Sequence, residues 1–361
     1  MSVLALGIET SCDETAAAVV SSTGEVLSDI VKSQVDIHVR YGGVVPEIAA
    51  RDHARALPLV VEEALARAGV TLDGVDGIAV TTRPGLLGAL LVGVQFAKGL
   101  AWGKDKPIVG VDHLVGHLLA VFLRREGAPA APEFPFVALL ASGGHTALYR
   151  VDGPTLDKVR ELGATRDDAA GEAFDKAAKL LGLGYPGGPV VDRLAARGKA
   201  DRVRFFEGKA AHRLGLEFSF SGLKSALARH VEEAGVPTGE ALEDLCASFQ
   251  DAVTDVLVDK SLRAAEQEGL TRVVLGGGVA ANRGLRAKLT AKAERRGIQV
   301  FVPPLASCTD NAAMIGYAGA LRLARGERDS LDLAPATKST LLSVTRKGGG
   351  PRTASARATR K

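Results

Sequence analysis

Two histidines stand four residues apart in Asp112-His113-Leu114-Val115-Gly116-His117. The apolar run PIVGV before them reads as a buried strand. Asp112 is a good N-cap residue, so a helix is expected to start at His113. His113 and His117 then share one helix face, with Cβ atoms about 5–6 Å apart, a spacing at which two imidazoles can share a metal ion. A zinc-peptidase helix needs a glutamate directly after the first histidine as general base. Leu114 stands there instead, which removes peptidase chemistry by that route. Two readings remain for the pair: metal ligands, or two polar residues lining a cleft at a strand end. A third ligand must come from elsewhere, and the best candidate is Asp310 in PLASCTDNAAMIG. It follows the strand-like QVFVPP and opens an apolar helix, so it also lies at a strand end, where open α/β sheets hold ligands. The other reading of Asp310 is a helix-capping carboxylate. Two histidines and one carboxylate with open positions suit Fe(II), and also a catalytic zinc.

Glycine-rich stretches supply the second kind of chemistry. LGGGVAAN (275–282) is an apolar strand, three glycines and a helix start. Such backbone can lie against an adenine, ribose or phosphate and offer N–H donors at a helix N-terminus; Asn282 could hydrogen-bond the same ligand. SGGH (142–145), with Ser142, Gly143 and Gly144, is a similar tip suited to an anion. DDAAGEAFDKAAKLLGLGYPGGP (167–189) combines acids with glycines. Asp175 there could accept from ribose hydroxyls, or instead pair with Lys179 on its own helix. Gly187 and Gly188 let backbone approach a sugar, and Asp192 is another hydroxyl acceptor. For the triple glycine, the competing reading is a tight strand-to-helix turn alone.

These groups need a scaffold, and hydrophobic periodicity outlines one. VLALGIE (3–9) and TAAAVVSS form a hairpin with a polar tip at 13–15, and a third strand covers about 25–34. Helical spacing runs from Pro46 to Gly69, GIAVTT (77–82) is a buried strand, Leu86 to Trp102 an apolar helix, and PIVGV (107–111) another buried strand. Alternating strands and helices mean an α/β layer with parallel pairing. After a Pro/Ala linker at 128–135, the theme restarts in FVALLASGGHTALYRV (136–151). GIETSCDETAAAVV and LLASGGHTALYRV share a strand, a short tip, a threonine and a return strand, a weak internal repeat. Two such halves would set two hairpin tips across one cleft.

Length and composition agree. A chain of 361 residues suits two domains. No apolar run approaches the ~18 residues of a membrane span, and the N-terminus lacks the features of a signal peptide. Three widely spaced cysteines, Cys12, Cys246 and Cys308, build no disulfide framework and fit reduced thiols in a cytoplasmic protein. The net charge of +3 is misleading: six basic residues and no acid follow Thr345, so the rest of the chain nets −3. Residues 193–230 carry nine Lys/Arg against three acids, a local basic patch for a polyanion or else a solvated face.

GIETSCDET, DHLVGH, SGGHT, DDAAGEAFDK, YPGGP, FSFSGLK, GGGVAAN and SCTDNAAMIG stand in one order. Together they resemble the tRNA N6-adenosine threonylcarbamoyltransferase family, bacterial branch, over about residues 1–340. The resemblance implies an α/β, two-domain actin-like ATPase fold (actin/Hsp70/sugar kinase) with a cleft between the domains. It divides the chain into 1–127 plus 310–340, then 135–309 with a basic helical insert around 193–230; the low-complexity basic tail at 343–361 lies outside the family pattern and reads as disordered from its composition. It implies transfer of threonylcarbamoyl from threonylcarbamoyl-AMP to N6 of adenosine 37, in tRNAs reading codons that begin with A, with release of AMP. His113, His117 and Asp310 would hold one divalent metal, Fe(II) before Zn. Leu140, Ala141, Ser142, Gly143, Gly144, Asp175, Gly188, Asp192 and Asn282 would contact the adenylate. Asp13 is the candidate base, with Glu14 beside it, since an amine nucleophile of low basicity gains from a carboxylate. Implied partners are tRNA, a separate synthase supplying the adenylate, a degenerate paralogue and a small P-loop ATPase, with no membrane. The competing function is a sugar- or acetate-type kinase or ATPase of the same fold, against which the histidine pair argues, because magnesium prefers oxygen ligands.

Overall fold

β1 (Leu4–Glu9) and β2 (Glu14–Ser21) pair antiparallel around a tip at 10–13, and β3 (Val26–Ser33) continues the meander. The structure is a computed structural model and describes residues 2–126, 128–205 and 214–341; the tail at 343–361 lies outside them. α1 (Val35–His38) and the long α2 (Pro46–Ala68) lead to β4 (Gly77–Arg83). α2 ends where Gly69 takes φ 67°, the left-handed conformation that closes a helix and that glycine adopts without cost. α3 (Leu87–Gly103) leads to β5 (Ile108–Asp112), and α4 (His113–Leu119) follows directly. The sheet order is β3-β2-β1-β4-β5, with β4 and β5 parallel to β1.

β6 (Phe136–Ala141), β7 (Thr146–Val151), β8 (Val159–Ala164), β9 (Arg272–Gly276) and β10 (Gln299–Phe301) form a second sheet in the order β10-β9-β6-β7-β8. Read from its antiparallel edge, this is the same topology: meander, then two parallel strands. The weak repeat of strand and tip is therefore a duplication of the whole sheet. α5 (Ala170–Leu180), α6 (Gly187–Ala195), α7 (Ser221–Ala234), α8 (Glu240–Glu268) and α9 (Arg283–Glu294) belong to this half of the chain. Among its described residues, the stretch 193–230 is helical at 193–195 and at 221–230. Residues 196–205 are turns and coil, and Phe218 bridges Thr165; Lys209 and Arg213 lie outside the described residues.

After β10 come the short α10 (Leu305–Cys308) and α11 (Ala312–Ala324). α11 follows the second sheet in sequence but packs against β1, β2 and β4 of the first. Its seat is unusually close. A Cβ on Gly7 would lie 2.3 Å from the Ala312 carbonyl oxygen, and one on Gly319 would lie 2.2 Å from the Ala79 Cβ. Only glycine permits that approach. No helix among the described residues is long and apolar enough to cross a membrane.

Candidate functional site

The period of two along a strand decides which residues reach the site. Leu6 and Ile8 of β1, and Ile78 and Val80 of β4, enter the core under α2 and α3. Gly7 and Ala79 face the opposite way, against α11. Continuing the alternation puts Glu9 and Thr81 on the α11 face at the carboxyl ends of their strands. β5 ends beside them at Asp112, whose Oδ1 accepts from the Leu114 N–H at 3.0 Å and starts α4 at His113. Asp310 precedes α11, so the close seat of that helix holds its carboxylate over the same strand ends.

Here the three expected ligands meet. His117 Nε2 is 3.0 Å from Asp310 Oδ1, and His113 Nε2 is 3.4 Å from the same oxygen. The imidazoles stand edge-on with centroids 4.6 Å apart. All three donor atoms lie within 4.8 Å of one another, forming a group that could hold a metal ion. Both histidines are buried. His113 Nδ1 lies 2.9 Å from Glu9 Oε2; Thr81 donates to that oxygen at 2.7 Å, and the Ser11 N–H donates to Glu9 Oε1. Burial opposes charge on His113, but the Asp310 and Glu9 carboxylates outweigh it and raise its pKa well above the ordinary value. Asp310 is likewise held well below the carboxylate range against burial, chiefly by His113. Burial lowers His117, whose Nδ1 has no hydrogen-bond partner. Two imidazole nitrogens from one helix and a carboxylate oxygen from the start of another, all within 4.8 Å, fit a divalent transition metal by donor type.

The first hairpin tip is held from behind. His53 Nε2 lies 2.9 Å from the Cys12 carbonyl and its Nδ1 2.7 Å from Thr15 Oγ1, while the Gln34 N–H donates to the Asp13 carbonyl. Glu14 Oε1 accepts from Ser33 at 2.9 Å, and its Oε2 is buried without a partner. Burial pushes the Glu14 carboxyl up to about 7. Burial also raises Asp175 and Tyr185, and the Asp13 carboxylate adds to both shifts. The tip of the first half therefore faces the 167–189 stretch of the second.

On that side the expected contacts divide. Gly143, Gly144, Gly188 and Gly278 have nothing within 4 Å of where a Cβ would be, so their backbone is open to a ligand. Leu140 and Ala141 bury their side chains in the core and can offer only backbone. Ser142 is engaged within its own tip: its N–H donates to the His145 carbonyl and its Oγ accepts from the His145 N–H. Asp175 Oδ1 accepts from the Gly187 N–H at 2.7 Å, and no Lys179 pair forms. Asp192 is paired with Arg283 at 2.7 Å. Asn282 caps α9 through the Leu285 N–H and donates to Gln250 at 2.6 Å. The glycine loop meets the first sheet strand of its own half, since a Cβ on Gly277 (φ 83°) would lie 2.4 Å from the Ala141 carbonyl. Sequence reasoning missed Glu9, Thr81 and Tyr185. The available signal for Glu9 was an acid closing an otherwise apolar strand.

A family model described as tRNA N6-adenosine threonylcarbamoyltransferase matches residues 25–317. A protein of that name from Sorangium cellulosum is 71% identical over 353 residues, covering 96% of this chain and 99% of the relative. Another from Anaeromyxobacter dehalogenans (strain 2CP-1) is 57% identical, covering 91% and 96%. Among solved structures, component A of the (R)-2-hydroxyglutaryl-CoA dehydratase of Acidaminococcus fermentans superposes with a TM-score of 0.54 at 15% identity, over 89% of this chain and 99% of that one. HypF of T. kodakarensis gives 0.56 at 15% identity, over 90% of this chain and 48% of that one.

Proposed function

This chain belongs to the tRNA N6-adenosine threonylcarbamoyltransferase family, and from that premise we propose how its cleft divides the work of the transfer. The fold is the two-domain actin-like one, and the activity is transfer of a threonylcarbamoyl group to N6 of adenosine in tRNA. The donor in our reading is threonylcarbamoyl-AMP, and the acceptor is adenosine 37 of tRNAs reading codons that begin with A. The carrying observation is the convergence of His113, His117 and Asp310 at strand ends, on the cleft that open glycine backbone lines from the other half.

In this reading the Gly143, Gly144, Gly188 and Gly278 backbone receives the adenylate, whose phosphate takes N–H donors and whose ribose hydroxyls face Asp175. Asp192 and Asn282, already paired in the protein, border that subsite with the backbone of Leu140, Ala141 and Ser142. His113, His117 and Asp310 hold one divalent ion, Fe(II) ahead of Zn(II). When bound, it supplies a Lewis-acid centre beside the threonylcarbamoyl group. The N6 lone pair forms the C–N bond, the anhydride C–O bond to phosphate breaks, and AMP leaves with that electron pair. The N6 proton goes to a carboxylate at the first hairpin tip, Asp13 or Glu14. Exposed Arg202 and Arg204, in the basic stretch after α6, meet the anticodon arm.

The domains divide as 1–127 with 310–340, and 135–309; the packing of α11 on the first sheet supports returning 310–340 to the first domain. We place the protein in the cytoplasm, with a separate synthase making the adenylate and a degenerate paralogue and small P-loop ATPase as partners. The deciding experiment is a transfer assay with purified protein, threonylcarbamoyl-AMP and unmodified tRNA, with and without those partners. N6-threonylcarbamoyladenosine at position 37 is expected. Its absence under every condition overturns the reading.

A further inference from the structure

Glu9 is 1% exposed at the end of β1, two strands away from β5 in the sheet. A carboxylate there is costly unless its oxygens are satisfied, and each oxygen has protein donors. The Ser11 N–H serves Oε1, and Thr81 from the intervening β4 serves Oε2 at 2.7 Å. Those two bonds fix the carboxylate plane. The remaining contact of Oε2, at 2.9 Å, is His113 Nδ1. The other ring nitrogen of His113, Nε2, is the one turned toward Asp310 at 3.4 Å.

A carboxylate oxygen can only accept, so it selects the imidazole form with hydrogen on Nδ1 and leaves the Nε2 lone pair free to ligate. We propose that Glu9 is a positioning residue for His113: anchored by Thr81 and the Ser11 backbone, it sets the tautomer and ring orientation that make Nε2 a metal donor. The inference rests on the reading of His113, His117 and Asp310 as a metal site. His117 lacks such a partner, since its Nδ1 bonds to nothing. The two histidines are therefore unequal: the Nδ1 of His113 is held in register before any ion arrives, whereas His117 is oriented by packing and by its Nε2 contact with Asp310 at 3.0 Å.

The test uses the full chain, Co(II) as the probe ion and three proteins: wild type, Glu9→Gln and Glu9→Ala. Glutamine matches the shape and can accept through its amide oxygen, but it can also turn its NH2 to Nδ1 and reverse the tautomer. Co(II) affinity is expected to fall roughly 10–100-fold in Glu9→Ala, with Glu9→Gln between it and wild type. The ligand-field absorption of the Co(II) complex should change in both variants. In the metal-free proteins, at a pH high enough to leave the His113 ring neutral, 15N shifts should report hydrogen on Nδ1 in wild type and a shift toward the other tautomer in Glu9→Ala. A purely structural role would lower the melting temperature without moving the tautomer or the spectrum. If Glu9→Ala does not fold, Glu9→Gln carries the same readouts. Variants that fold, keep hydrogen on Nδ1 and bind Co(II) within about twofold of wild type overturn the proposal. Failure of wild type itself to bind Co(II) overturns the ligand reading instead, and the proposal with it.

Discussion

At the scale of single residues, the two clusters of acids at the strand ends behave oppositely. Asp310 keeps its charge because imidazoles surround it, whereas Glu14 has one hydroxyl donor and one bare oxygen, so burial lifts it to about 7. Removing a ligand is the plainest test of the first cluster. Asp310→Ala should weaken metal binding by roughly 100-fold or more, beyond the range of an outer partner, measured by elemental analysis and Co(II) titration. The second cluster predicts a pH profile. If Glu14 takes the N6 proton, it must be ionised, so kcat/KM should rise with pH through about 7 and then level off. Glu14→Gln should lower the rate roughly 10²–10⁴-fold and abolish that limb while tRNA binding persists. The same shift affects stability. A carboxyl raised above its unfolded value binds more protons when folded, so its contribution is favourable below about pH 4.5 and is lost as pH rises through about 7. Glu14→Gln should therefore raise the melting temperature at pH 8 relative to wild type, and not at pH 4. A melting difference that does not depend on pH would reject the assignment.

At the scale of elements, two contacts place the candidate site. α11 sits on β1 and β4 through Gly7 and Gly319, and Asp310 rides at its start. Gly319→Ala would drive a methyl into the Ala79 Cβ. Overpacking of this kind costs about 1–3 kcal/mol, and the displaced helix should also loosen metal binding; calorimetry and Co(II) titration on one sample check both. The second contact is Asp112, which was expected only as a helix cap. Its Oδ2 also accepts from Ser339 at 2.6 Å and from the Thr340 N–H at 3.0 Å, tying the C-terminal strap to the start of the histidine helix. Asp112→Ala should cost about 1 kcal/mol from the cap alone and more from the strap, read as a shifted denaturation midpoint. The element bounds themselves were legible, because α2, α3 and the strands carry clean periods closed by Pro46 and Gly69. The pairing of Asp192 with Arg283, and of Asn282 with Gln250, was not, since those residues lie far apart in the chain.

At the scale of the whole molecule, the duplicated sheet sets two hairpin tips and two strand-end surfaces against one cleft, with Asp13 and Glu14 from one half near Asp175 and Tyr185 from the other. The charge pattern belongs to this scale too. The body is acidic overall, so the basic stretch 193–230 is a local excess of positive charge that would attract a polyanion. Reversing Arg202 and Arg204 to Glu should weaken tRNA binding and flatten the dependence of log affinity on log salt by roughly 1.5–2 units. Binding titrations at several salt concentrations give the slope, and an unchanged slope removes this patch from the interface.

The sequence by itself determined the local facts: strand and helix bounds, the cap at Asp112, the shared face of His113 and His117, and the open glycine tips. Each depends on residues within a few positions of one another, where a period or a dihedral preference is enough. Only the tertiary structure decided which groups meet. Glu9 and His113 lie 104 positions apart and His117 and Asp310 lie 193 apart. Sheet order brings the first pair together, and the glycine seat of α11 the second. Neither leaves a period in the chain, because no local energy depends on it.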